Sequence, residues 1–195
     1  MSDQPFEPEE IILQTRTPSV FGAVSFGVVA LVFACAWWFS SKPTVLSLVL
    51  FVNLAALSWY DFHYFRLPNL LTGTLALTSI AMLLTVPQAL LVGHMIGGLV
   101  GLMFFPLLNF FYRLLRGRSG IGLGDAKLLG GVGLWLGWLN LPFVLLTASL
   151  SALMVTSLSL MFAKGENRKQ LVKNPVPFGI FLAIGAWLVW LFPQI

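Results

Sequence analysis

Charge is what this sequence has least of. Lys, Arg, Asp and Glu together make up 9% of it, against about 25% in ordinary soluble domains. Cysteine is nearly absent as well. Cys35 stands alone, so neither a disulfide framework nor a paired-cysteine metal site can be built from this chain, and its thiol reads as a buried structural one. The two histidines, His63 and His94, belong to no HExxH pattern and no cluster. No metal site and no cofactor is therefore expected.

What fills the chain instead is apolar residues, 58% of the total. A helix of about 20 apolar residues crosses the hydrocarbon core of a bilayer. On that scale seven runs qualify: residues 19–39, 44–62, 70–86, 88–115, 124–139, 142–163 and 177–194. Seven spans and short connections leave no room for a soluble domain. The expected fold is an all-α polytopic membrane protein, a bundle of about seven transmembrane helices. Residues 1–18 form an acidic tail, and 19–195 a single transmembrane domain. The first run is too long for a typical signal-peptide core, and acidic residues precede it, so it reads as a retained helix.

Basic residues orient the bundle. With the N-terminus inside, Arg16, Arg66, Arg113, Arg116, Arg118, Lys164, Arg168, Lys169 and Lys173 all fall in cytoplasmic segments. Lys127 lies at the cytoplasmic mouth of the fifth span, and only Lys42 faces outside. This bias, with the attraction of anionic lipid headgroups, accounts for the net charge of +4 without a nucleic-acid partner.

Acids are rarer still, and most of them lie at the edges. Asp3, Glu7, Glu9 and Glu10 sit in the tail, and Glu166 in a basic loop. That leaves Asp61, which closes the second span, and Asp125, which opens the fifth. The derived topology puts both at the cytoplasmic face. Ionisable groups in such places are costly, so function is the default reading. Pro68 disfavours helix at Leu67, so the second helix should end near Arg66. Asp61 then lies towards the negative end of the helix dipole, where an anion is disfavoured. Asp125 follows Gly124 and precedes a helical run, where an aspartate can also serve simply as an N-cap. As a close pair the two carboxylates would share one proton, Asp125 more often carrying the charge.

The glycines divide into two groups. Gly120, Gly122 and Gly124 alternate before Asp125. They form either a strip against which an extended substrate could lie or a flexible loop. Gly93, Gly97 and Gly101, and Gly133 with Gly137, carry the GxxxG spacing that lets helices approach closely in lipid. Pro106 is expected to kink the fourth span. His94 lies towards the outside, and a helix turns His63 away from Asp61, so neither is assigned a catalytic role.

These residues resemble the type IV prepilin peptidases, membrane aspartyl proteases of the GxGD class. The likeness rests on three pieces: Asp61 followed by Pro68 and Asn69; the block Gly120, Gly122, Gly124, Asp125, Lys127 with Trp138 beyond it; and Pro177, Phe178, Gly179. It covers roughly residues 45–190. The resemblance implies an aspartic endopeptidase of the bacterial inner membrane with a catalytic dyad of Asp61 and Asp125. Such an enzyme cuts the short basic leader from prepilins or pseudopilins at the cytoplasmic face. Gly122, Gly124, Lys127, Pro177, Phe178 and Gly179 would position the substrate.

Many family members also methylate the new N-terminus and carry a cytoplasmic insert with two cysteine pairs. Here only residues 40–44 join the first two spans, and the cysteines are missing, so methyl transfer is doubtful. A presenilin-type GxGD protease fits less well, because Pro177, Phe178 and Gly179 stand where a Pro-Ala-Leu segment would be needed. Two other classes remain: a proton-coupled transporter using intramembrane acids, and a non-catalytic pilus or secretion assembly protein.

Overall fold

A computed structural model describes residues 38, 44–116, 122–162 and 177–192. The expected first span, the acidic tail, Gly120 and the basic segment around Lys164–Lys173 lie outside the described residues, apart from Trp38. Among the described residues the structure is entirely helical. The elements are α1 (Thr44–Tyr64), α2 (Asn69–Leu83), α3 (Gln88–Arg116), α4 (Leu123–Leu136), a 3₁₀ turn (Trp138–Asn140), α5 (Leu141–Phe162) and α6 (Phe178–Leu191).

Three stretches are long and apolar enough to cross a membrane: Val45–Tyr64, Gln88–Leu115 and Trp138–Met161. With so little charge in the chain, they make this a helical membrane protein. Asn69–Leu83 and Phe178–Leu191 are apolar but shorter. At 1.5 Å per residue, the 15 residues of α2 reach about 22 Å, less than the ~30 Å hydrocarbon core.

Local chemistry sets the ends. Phe65, with φ of +50°, closes α1 by turning into the left-handed region, so the helix ends at Tyr64, near the Arg66 expected from sequence. Pro68 then stands in extended conformation as the N-cap of α2. The fifth run was expected to continue to residue 139. Instead α4 stops at Leu136, because Gly137 takes φ of +80° and starts the 3₁₀ turn. Hydropathy does not register that break. α3 runs through Pro106 without interruption.

α4 is the central helix, packed against α3, α2 and α6, while α1 packs on α6 and α2, and α5 on α6. Both α4 and α6 are buried along most of their length. Leu54, Leu75, Leu129, Val132, Leu182 and Trp187 form the middle of the core. α3 and α5 instead expose Leu99, Met103, Leu153 and Met154, the surface that lipid covers in a membrane. Gly97 and Gly133 bring the α3 and α4 backbones into direct contact, the close approach that small residues permit in lipid. At the far end His94 Nδ1 lies 2.9 Å from the Leu134 carbonyl oxygen, tying α3 to α4.

Candidate active site

Three chain segments meet at one end of the bundle. The C-terminal end of α1 brings Asp61, the turn after it brings Leu67 and Pro68, and the N-termini of α4 and α6 bring Asp125 and Gly179. Leu67 is the wedge between them. A Cβ on Gly124 would stand 3.0 Å from Leu67 Cβ, and one on Gly179 3.3 Å from Leu67 Cδ1. The absence of side chains at Gly124 and Gly179 thus lets α4 and α6 close on the same leucine.

Asp61 is 5% exposed. Its place near the negative end of α1 is offset by another helix. The backbone N–H groups of Gly179 and Ile180, among the first amides of α6, are directed at its carboxylate. The positive end of a helix dipole favours an anion there. The amides complete no bond to Oδ2, which has no hydrogen-bond partner among the described residues.

Asp125 is half-buried. The N-cap of α4 is Gly122, so Asp125 is not the cap itself but the third residue of the first turn. There its charge is favoured by the dipole. Asp125 lies close enough to Asp61 for the two charges to act on each other. Gly122 borders it; a Cβ there would be 3.9 Å from Asp125 Oδ2.

The remaining expected residues divide between this cluster and its surroundings. Pro177 is the N-cap of α6, in extended conformation. The Phe178 ring packs edge-on against buried Phe105 of α3, with centroids 6.1 Å apart. Lys127 is two residues beyond Asp125 and so projects from the opposite side of α4. Its Nζ donates to Asn69 Oδ1 at 2.5 Å, linking α4 to the start of α2. Lys127 and Asn69 stand at the edge of an open apolar cavity of about 480 Å³ between α2, α3 and α4, floored by Gly73, Gly98 and Gly131. Asp125 does not line this cavity.

The histidines are engaged elsewhere. His63 Nδ1 lies 2.8 Å from the Trp59 carbonyl oxygen of its own helix. Among the described residues no group of three His, Cys, Asp or Glu side chains could hold a metal ion.

Two buried or wedged residues near the aspartates escaped the sequence reading. Leu67 carries no chemical mark, and only its position before Pro68 could have drawn attention. Ser58, buried one turn before Asp61, could have been found from its i−3 spacing.

Chemically, the cluster offers two interacting carboxyl groups, one buried and one partly open, beside the first amides of a helix. It can take a proton from a water at one carboxylate while the other donates one.

Two of the three segments, those that carry Asp61 and Asp125, fall within the match to a known family. The model of the type IV leader peptidase family matches residues 48–157. A prepilin leader peptidase/N-methyltransferase of Aeromonas hydrophila is 36% identical over 164 residues, covering 84% of this chain and 53% of the relative. The protein of that name from Burkholderia pseudomallei (strain 1026b) is 37% identical over 132 residues, 68% of this chain and 41% of its own. That of Pectobacterium carotovorum subsp. carotovorum is 34% identical over 139 residues, covering 71% and 48%. The chain thus spans about half the length of the curated relatives it matches. No solved structure matches it.

Proposed function

This chain belongs to the type IV leader peptidase family, and on that premise we propose that it is a membrane aspartic endopeptidase. It removes the short basic leader from prepilins or pseudopilins at the cytoplasmic face of the bacterial inner membrane. Asp61 and Asp125 form the dyad, within a bundle of about seven transmembrane helices whose N-terminus is inside.

In the proposed reaction the pair holds one proton. The ionised carboxylate takes a proton from a water as the water oxygen bonds to the scissile carbonyl carbon. The protonated partner donates to the carbonyl oxygen, which stabilises the charge developing there. Collapse of the tetrahedral species breaks the C–N bond, and the leaving nitrogen takes up a proton. The products are a leader ending in a carboxylate and a mature chain with a new amino terminus. No covalent intermediate, metal or cofactor takes part.

Gly122, Gly124, Pro177, Phe178 and Gly179 shape the place where the extended substrate lies. Lys127 acts at one remove, holding Asn69 and through it the Pro68 turn. The substrate's apolar helix stays in the lipid beside the bundle. Methyl transfer, the second half of the relatives' name, is not carried over: the sequence has a single cysteine and only residues 40–44 between the first two expected spans.

One observation carries this reading. The two aspartates that stand apart from the acidic edges of the sequence meet at one end of the bundle, close enough for their charges to interact. The test is cleavage of a model prepilin by the purified protein and by Asp61→Asn and Asp125→Asn. Wild type is expected to remove the leader and both variants to lose that activity. A folded variant that cleaves like wild type would overturn the dyad.

A further inference from the structure

Four buried side-chain atoms have no hydrogen-bond partner among the described residues: Ser58 Oγ, Asp61 Oδ2, Trp135 Nε1 and Asn140 Oδ1. The last two lie near the break after α4, towards the other end of the bundle. The first two are three residues apart on one helix, and residues at that spacing share a face.

Ser58 is unusual among the buried hydroxyls. Inside a bilayer a serine or threonine ordinarily satisfies itself on the carbonyl three or four residues back. Thr72 does so on Pro68 and Asn69. Ser79 does so on Leu75 and also reaches the Gly131 carbonyl. Ser47 accepts from Trp190 Nε1. Ser58, 3% exposed, takes none of these routes. Its hydroxyl is left polar, buried and unpaired, one helical turn from an acid with one unpaired oxygen, Asp61 Oδ2.

We propose that Ser58 is a positioning residue whose hydroxyl holds the water that Asp61 and Asp125 use for hydrolysis. The inference rests on the dyad reading above. Side chains three apart on a helix face have Cβ atoms about 5–6 Å apart. A single water lying between the two side chains would make an O–H···O bond of about 2.8 Å to each oxygen. A buried water needs two to four polar partners, and Asp61 Oδ2 with Ser58 Oγ supplies two.

The chemistry explains why a hydroxyl suits the position. The attacking water must give one proton to the ionised carboxylate and direct a lone pair at the carbonyl carbon. Its second O–H needs an acceptor that does not remove that proton. A serine oxygen accepts through its lone pairs and, being far less basic than a carboxylate, leaves the proton where it is. An alanine cannot fix the second O–H, and the water then loses orientation rather than acidity.

The experiment is steady-state cleavage of a model prepilin by the full chain in detergent, comparing wild type, Ser58→Ala, Ser58→Thr and Asp61→Asn. Ser58→Ala is expected to lower kcat about tenfold to a hundredfold with KM within twofold and an unchanged thermal midpoint. Ser58→Thr is expected to recover most of the loss, because it keeps the hydroxyl. If Asp61→Asn is dead and Ser58→Ala retains wild-type kcat, the role of Ser58 is overturned while the dyad stands. A loss in Ser58→Ala that Ser58→Thr does not rescue, with both melting early, would make Ser58 a packing residue and also overturn it. If Asp61→Asn cleaves like wild type, the dyad reading fails and takes this inference with it.

Discussion

Gly179 stands so close to the Asp61 carboxylate that a Cβ on it would lie 2.7 Å from Oδ2 and 3.1 Å from Cγ. Real Cβ atoms do not approach so closely, so a side chain there must displace the acid or push back the start of α6. Gly179→Ala is therefore expected to cut leader cleavage by at least tenfold, and Gly179→Val to abolish it. Because the clash is with a side chain at the mouth of the bundle, the thermal midpoint of Gly179→Ala should fall by only a few degrees. The check is kcat for cleavage beside a melting curve. Full activity in Gly179→Ala would mean that the close approach has no bearing on the reaction.

The bond from Lys127 to Asn69 joins two of the three motif segments, and its contribution is measurable separately from the dyad. A hydrogen bond with one charged partner contributes about 1.5–3 kcal/mol when well shielded. This one is exposed, so screening by water reduces it to about 1 kcal/mol or less. A double-mutant cycle of Lys127→Met and Asn69→Ala in denaturant unfolding should give a coupling of that size. Additive effects of the two changes would show that the contact contributes nothing.

The sequence made these segments legible to different depths. Long apolar runs located the helices well, since the expected 88–115 and the observed Gln88–Arg116 differ by a residue. The end of α4 was misjudged because the break at Gly137 lies in one backbone angle and leaves no trace in hydropathy. Asp61 and Asp125 stood out as rare acids in an apolar chain. What surrounds them did not. Leu67 looks like any other leucine until Gly124 and Gly179 are seen to close on it. Ser58 looks like any helical serine, and only the missing bond to its own backbone marks it. Lys127 read as a neighbour of Asp125 along the chain, whereas the helical turn carries it to the opposite face.

Glycines within the helices should respond in opposite ways to the same substitution. Gly73 of α2 has no atom within 4 Å of where a Cβ would stand, while Gly97 would place one 2.7 Å from the Trp138 backbone nitrogen and 2.8 Å from the Gly137 carbonyl carbon. Gly73→Ala gains helix propensity at no steric cost and is expected to stabilise the protein by about 0.5–1 kcal/mol. Gly97→Ala must pry α3 from α4 and is expected to cost about 2–3 kcal/mol, as overpacking of a tight core does. Gly97→Leu should prevent folding. Melting temperatures of the three variants decide the matter, and equal effects of Gly73→Ala and Gly97→Ala would contradict the packing described.

Phe65 holds a left-handed backbone four residues after Asp61, with φ of +50°, where an L side chain strains against its own carbonyl. For a residue other than glycine this costs roughly 1–2 kcal/mol. The position is the one after a helix end that glycine usually fills, and the Phe65 N–H still makes the closing bond to the Asp61 carbonyl at 2.9 Å. Phe65→Gly removes the strain but adds unfolded-state freedom of about 0.5–1 kcal/mol and gives up the partial cover of a ring that is 41% exposed. The expected net effect is a small gain, about 0.5 kcal/mol. Phe65→Ala is the control, because it loses the ring and keeps the strained angle. It should be less stable than both wild type and Phe65→Gly. If alanine and glycine destabilise equally, the ring and not the backbone angle decides this position.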